Sequence, residues 1–284
     1  MKSGLIHFVK RCIPPIFMDV LRSLTKGYRK PSQVHLFRGV FPSLEEARAQ
    51  EATGYDTSSS FDLTRGRHEE RLAAIEGGAV ESVETVRGLF MPVILSMNGG
   101  AKERVRVLDM GGSFGTLYLD LRMYSTFHDV EITVFDMPET VAEGERMYAD
   151  VESDRLNFVS SLSDVGDVDI IHYGSSIQYF DDISGIVTEL VKHHPKYIML
   201  VDSFFSPQET IYTHQGNCPG RLIPYVMHGF RETVDAMKKE GYGLLLHFEH
   251  DMTMYDYSYL PERYRSNNSS TLIFSATSNE RHHG

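Results

Sequence analysis

The chain has 284 residues, 41% hydrophobic and 24% charged, with a formal net charge of −11. That length suits one large domain or a domain with an appendage, able to bury a sizeable core. The acidity argues against a general nucleic-acid binder, because phosphate contacts need a basic face.

Residues 1–30 differ from the rest. Lys2, Lys10, Arg11, Arg22, Lys26, Arg29 and Lys30 oppose only Asp19, a net +6 that leaves −17 on residues 31–284. Leu5, Ile6, Phe8, Val9, Ile13 and Ile16 lie among these charges, in a run too broken and short to span a bilayer. The segment reads as a helix packed on its own domain or on a second copy in a homodimer. The other reading is an interfacial helix on anionic lipid, giving peripheral membrane contact. Cys12 and Cys218 carry no pairing pattern, which fits a reducing, cytoplasmic compartment.

Pro14–Pro15 interrupts this segment. Ser43 before "LEEARA" reads as a helix N-cap, with Glu46 three residues on completing a capping box. Residues 62–97 read as two helical pieces divided at Gly77–Gly78. Residues 1–100 are thus predicted to be a mostly helical N-terminal region.

After Gly99–Gly100 strands and helices alternate. "RVRVLDM", "VEITVFDM", "LNFVSS", "VDIIHYGSS" and "KYIMLVDSFF" read as strands. Between them fall the helices "LYLDLRMYS", "ETVAEGERMYADV" and "ISGIVTELVKHH". The helix "FRETVDAMKKEGY" precedes two final strands, "LLLHFEH" and "STLIFSA". The alternation predicts βαβ units and a parallel sheet, with the last two strands antiparallel because no helix separates them. The expected division is 1–100 as a helical cap and 101–284 as a nucleotide-like cofactor domain.

The stretch "LDMGGSFGT" lies between the first of these strands and its helix. Read as G-x-G-x-x-G it fails at Met110, and Asp109 would repel a pyrophosphate. No G-K-[ST] follows, so it is not a P-loop. Read as acid-x-G-x-G-x-G, it places Asp109, Gly111, Ser113 and Gly115 in the pattern of an S-adenosylmethionine (SAM) loop, with Ser113 the one departure. That cofactor has no phosphate and carries an ammonium and a sulfonium. Gly112 shares the loop, where missing side chains let backbone approach a ligand. Asp136 ends the next strand, 27 residues after Asp109, where a carboxylate can accept both ribose hydroxyls. Met137 is placed to flank the adenine.

The late part resembles the Rossmann-like class I methyltransferases, an α/β fold with a seven-stranded, mostly parallel sheet and an antiparallel last strand. The whole chain resembles a bacterial family of SAM-dependent methyltransferases with an extra N-terminal helical region. The residues carrying this are "FRGVFPSLEEARAQEATGYD", "VLDMGGSFG", "DIIHYGSSIQYFDD", "YIMLVDSFF" and the Gln of "THQG", between residue 37 and about residue 215. Genes for that family lie mainly near surface-polysaccharide genes, so the resemblance implies methylation of a small-molecule or carbohydrate acceptor.

In such sheets the ligand sits at the carboxyl ends of the strands. Ser160 and Ser161 are expected beside the adenine, and Tyr173, Gly174 and Ser175 beside the methionine part. Gln178, Tyr179 and Gln215 are candidates for the acceptor, with Tyr55 and its neighbour Asp56 lining the cap. The candidate bases are Asp202, where the family also has an acid, and His214, expected in a loop. His172 is the third candidate, but it occupies a position the family usually fills with an apolar residue and is expected in the core. His193–His194 are expected to be solvated. No ligand spacing supports a metal. The alternatives are a non-catalytic scaffold with this fold and an NAD-type oxidoreductase; Met110 and Asp109 argue against the latter.

Overall fold

A computed structural model describes residues 35–50, 57–77, 86–97, 104–124, 129–149, 155–216 and 222–277. The strands are β1 (Phe37–Phe41), β2 (Val105–Met110), β3 (Val130–Phe135), β4 (Leu156–Val159), β5 (Ile170–Gly174), β6 (Tyr197–Ser203), β7 (Ile211–Gln215), β8 (Ile223–Met227), β9 (Tyr242–Asp251) and β10 (Asn268–Ala276). The helices are α1 (Leu44–Ala49), α2 (Thr57–Glu76), α3 (Val86–Met97), α4 (Thr116–Tyr124), α5 (Pro138–Met147), α6 (Ile183–Leu190) and α7 (Phe230–Lys239).

Seven strands form the main sheet in the order β4-β3-β2-β5-β6-β10-β9. The pairs from β4 to β6 are parallel, and β10 runs antiparallel to both β6 and β9. This is the mostly parallel sheet expected from the alternating pattern. The central strands are apolar on both faces because both faces are covered. Val107, Ile132, Ile170, Met199 and Ile273 meet α3 and α4 through Met91, Ile94, Leu117 and Leu121. On the opposite face Leu108, Ile171, Tyr173, Leu200 and Phe274 meet α6 and α7 through Val187, Leu190, Ala236 and Met237.

Local chemistry sets the helix ends. Ser43 Oγ accepts the Glu46 amide over 3.1 Å, as the capping box requires. Pro138 opens α5, where its missing N–H is not needed. In α7 Glu232 lies in the first turn and Lys238–Lys239 in the last, opposing the helix dipole. Gly241 follows with φ +86°, a left-handed stop that glycine adopts without penalty.

Three features differ from the sequence reading. Phe37–Phe41 is a strand within the region expected to be helical. It joins β7 and β8 in a second, antiparallel sheet of order β1-β7-β8, and neither β7 nor β8 was expected. "IYTHQ" is too polar to read as a strand, and Pro224 disguises "IPYVM". Pro224 is tolerated because β8 is the free edge of that sheet. The small sheet has its own core, in which Leu36, Phe37, Ile211, Tyr225 and Met227 pack on Tyr257, Leu260 and Tyr264 from the segment joining β9 to β10.

Finally, α3 supplies Phe90, Met91, Ile94 and Leu95 to the main sheet's core, with Leu72 and Ile75 of α2 packed beside them. The division read at residue 100 passes through this shared cluster, and one compact unit begins at His35. The basic segment 1–30, with the homodimer and membrane readings attached to it, lies outside the described residues. Among the described residues no helix is long and apolar enough to cross a membrane.

Candidate functional site

The carboxyl ends of β2, β3, β5 and β6 converge on one rim, and most of the residues singled out from the sequence stand there. The loop after β2 is built on two left-handed glycines, Gly111 at φ +66° and Gly115 at φ +77°. Gly111 N donates to Phe135 O of β3 over 2.8 Å, and Gly115 N donates to Gly112 O over 3.1 Å, opening α4. A Cβ on Gly111 would stand 2.8 Å from Ser176 Cβ, and one on Gly112 would stand 2.3 Å from Asp109 Oδ2. The backbone is therefore packed tightly against Ser176 and Asp109 at these two positions.

Asp136 is bound to this loop. Its Oδ2 accepts the Ser113 amide over 2.9 Å and its Oδ1 accepts the Met137 amide over 2.8 Å. Burial pushes its carboxyl above the usual carboxylate range, opposed by these amides and by Thr140. With Thr140 as a third partner, the carboxylate keeps one of its about four lone-pair sites for another donor. Met137 is 49% exposed beside it. Ser160 and Ser161 follow β4, next to the Asp136 backbone, which donates to Val159 O over 3.2 Å. Ser161 caps a short 3-10 turn, its Oγ accepting the Ser163 amide over 3.3 Å.

The hydrogen bonds continue across the rim. Ser176 Oγ donates to Met110 O, tying the end of β5 to that of β2. Ser175 Oγ donates to Asp202 O over 2.6 Å and lies 3.2 Å from Asp202 Oδ2. Ser269 Oγ of β10 donates to Asp202 Oδ1 over 2.7 Å, a partner no sequence motif marked. Gln178 Nε2 donates to Ser175 O, while its Oε1 is buried without a partner. Tyr179 stands next to it in the same 3-10 turn.

Strain collects in the same place. Among the described residues four non-glycine residues have positive φ, and three are Ser113 (+53°), Ser175 (+57°) and Asp202 (+52°). They follow or end β2, β5 and β6. Each such conformation costs about 1–3 kcal/mol and persists where the surroundings impose it, typically at sites that bind or react.

Some expectations are corrected by burial. The Tyr173 side chain does not face the rim. It is fully buried in the core beneath α6, edge-on to Phe180 at 5.4 Å, because alternate residues of β5 point to opposite faces. Only its backbone and Gly174 reach the site. His214 is not in a loop. It lies in β7, buried, with its ring 4.5 Å from Phe41 and Nε2 2.6 Å from Ala47 O, so its imidazole is engaged with the backbone of α1. Gln215 ends β7 opposite Phe37 and Ile223, its Oε1 buried without a partner. His193 is buried rather than solvated, its Nδ1 3.2 Å from Gly166 O. Tyr55 and Asp56 lie outside the described residues.

Two contributions were not foreseen. His172 is buried in the core as expected, and what the sequence does not show is its partner: its Nδ1 stands 2.8 Å from Asp109 Oδ1, both side chains buried. From α2, His68 Nε2 lies 3.2 Å from Thr116 Oγ1, and its ring is edge-on to Phe114 of the loop. Burial pushes this imidazole below its usual range. Among the described residues no group of three His, Cys, Asp or Glu side chains could hold a metal.

The sheet order, the antiparallel β10 and the glycine loop at the carboxyl rim define the Rossmann-like class I methyltransferase fold. No family model matches the sequence, and no curated protein matches it significantly. Solved structures with a similar trace include a SAM-dependent methyltransferase from Methanosarcina mazei, 15% identical, covering 66% of this chain and 97% of that one at TM-score 0.46. A SAM-dependent methyltransferase from Clostridium acetobutylicum is 11% identical, covering 75% and 98% at TM-score 0.45. The magnesium protoporphyrin IX methyltransferase of Synechocystis, solved with bound S-adenosylhomocysteine, is 13% identical, covering 76% and 97% at TM-score 0.44.

Proposed function

We propose that this protein is a SAM-dependent methyltransferase that methylates a hydroxyl of a small-molecule or carbohydrate acceptor, in the cytoplasm and in connection with surface polysaccharide. The supporting observation is the unit formed by the glycine loop and Asp136 through the Ser113 amide. A glycine-built backbone turn meets a carboxylate with a lone pair left for a further donor, and Asp109 lies beneath in place of any cation for a phosphate.

SAM supplies a methyl group on a sulfonium. In this reading Gly111, Gly112, Ser113 and Gly115 bring backbone against the cofactor. Asp136 accepts from its ribose, and Met137, Ser160 and Ser161 flank the adenine. Gly174 and Ser175 border the methionine part, with the Tyr173 backbone. Gln178, Tyr179, Gln215 and Tyr55 are the acceptor side. Asp202 is the base: Ser175 and Ser269 fix its carboxylate, and it takes the proton of the acceptor hydroxyl as that oxygen attacks. Holding the reactants in line supplies much of the acceleration, up to about 7–11 kcal/mol.

Calorimetric titration with SAM tests the cofactor, and transfer of labelled methyl to sugar acceptors tests the reaction. Asp202→Asn is expected to leave SAM affinity unchanged and lower methyl transfer by about 10²–10⁴-fold. Absence of SAM binding by the wild-type chain would overturn the reading.

A further inference from the structure

Asp109 is the residue that distinguishes the loop from a phosphate site, yet it is only 2% exposed, and His172 is 3% exposed. Neither side chain can act as a solvated charge. The register of β2 against β5 sets Asp109 directly opposite His172. Both point to the sheet face covered by α4, because they share the parity of Val107 and Ile170. Asp109 Oδ1 meets His172 Nδ1 at 2.8 Å, and Oδ2 turns under the loop at Gly112.

Two further observations show that the ring is accommodated rather than incidental. Gly174 makes room for it, since a Cβ there would stand 2.9 Å from His172 Cε1. His172 Nε2 is buried without a partner. A carboxylate accepts only, so Nδ1 carries a proton toward Asp109. Asp120 of α4 is near enough to interact electrostatically with both groups, and Arg71 of α2 pairs with Asp120 at 2.7 Å. Asp136 also lies within electrostatic reach of Asp109. Arg71 thus answers Asp120, and the N–H of His172 is left to stabilise Asp109.

We propose that His172 is a positioning residue for the cationic end of the cofactor: its Nδ1–H holds Asp109 as a buried anion beneath the glycine loop. This inference rests on the methyltransferase reading. A buried carboxylate with no donor is costly, because an isolated charge is disfavoured away from water. Without His172, Asp109 loses the one donor seen at its Oδ1, and the loop loses the fixed carboxylate that favours an ammonium and a sulfonium over a phosphate. Adenosine recognition at Asp136 does not depend on that charge.

The test binds three ligands to the full chain by calorimetry. SAM and S-adenosylhomocysteine carry the amino-acid ammonium. 5′-Methylthioadenosine keeps the adenosine and the sulfur and has no charged group. His172→Leu is expected to weaken the first two about tenfold and to leave methylthioadenosine within about twofold, since only the former feel a lost charge. His172→Asn, whose Nδ2–H can replace the Nδ1–H donor, restores most of the loss. Asp109→Asn gives the same pattern as His172→Leu and carries the test if the leucine variant does not fold. An equal loss for all three ligands would mean that His172 only supports the fold, and unchanged binding would mean that it does nothing for the cofactor. Either result overturns the inference while the methyltransferase reading stands. Failure of the wild-type chain to bind any of the three overturns both.

Discussion

The amide of Ser113 donates to Asp136 Oδ2 over 2.9 Å, joining the glycine loop of β2 to the tip of β3. The bond comes from the backbone of Ser113, so it is indifferent to the side chain there. That separates two properties of residue 113 that the sequence pattern merges: where its amide points and what its Cβ costs.

Ser113 has φ +53°. A Cβ in this region is penalised by roughly 1–2 kcal/mol, and glycine escapes that penalty. Ser113→Gly, which completes the glycine pattern, is expected to keep SAM affinity and to stabilise the protein by up to about 1 kcal/mol after glycine's greater unfolded-state freedom is subtracted. Urea unfolding and calorimetry check both halves. Destabilisation together with lost affinity would show that the hydroxyl itself matters.

Asp136→Asn keeps the shape and sets an NH₂ against one of the two amides that the carboxylate accepts. SAM binding is expected to weaken by about 10–100-fold, the cost of one lost charged acceptor and one opposed donor. Calorimetry measures it, and binding of 5′-methylthioadenosine should fall equally, because the ribose is common to both.

Two buried histidines predict a pH dependence. Burial pushes His68 and His228 below the usual imidazole range of 6.5. His68 Nδ1 lies 2.9 Å from Thr64 O and its Nε2 faces Thr116 Oγ1, which fits a neutral ring donating to one and accepting from the other. His228 Nε2 lies 3.2 Å from Ile177 O. The unfolded chain binds protons at these sites more readily than the folded one. Their contribution to stability is therefore full above pH 6.5 and is lost as pH falls through the folded values. The slope is at most about 1.4 kcal/mol per pH unit for each group. Asp120 and Asp136, held above the carboxylate range by burial, act in the opposite sense, so the comparison must be between variants. His68→Gln and His228→Gln should each flatten the fall in Tm from pH 7 to pH 5.

Met91 of α3 is fully buried in the cluster shared with β2, α4 and β6. Met91→Ala is expected to destabilise the whole unit by about 2–5 kcal/mol, as for other large-to-small core changes. A single cooperative transition at lower denaturant would show that α3 belongs to the sheet's core. A separate early transition, with the sheet unaffected, would favour an independent cap.

The main sheet was legible because its signals are local. Apolar runs such as "IIHY" and "IMLV", helices between them and the turn at Gly111–Gly112 each follow from neighbouring residues. The antiparallel end of the sheet was likewise legible from the missing helix between β9 and β10. So was the placement of Asp136, since a strand end is a position along the chain. The small sheet was not legible, because β1 and β7 are joined by pairing across more than 170 residues, as in Thr213 Oγ1 to Gly39 O at 2.7 Å, and β1 is short and broken by an irregularity at Gly39. Asp109 and His172 are each visible in the sequence, one as a loop acid and the other as an odd polar residue in a core strand. That they meet at 2.8 Å depends on the register of two strands 63 residues apart. Register is set by the packing of whole faces, and no local pattern carries it.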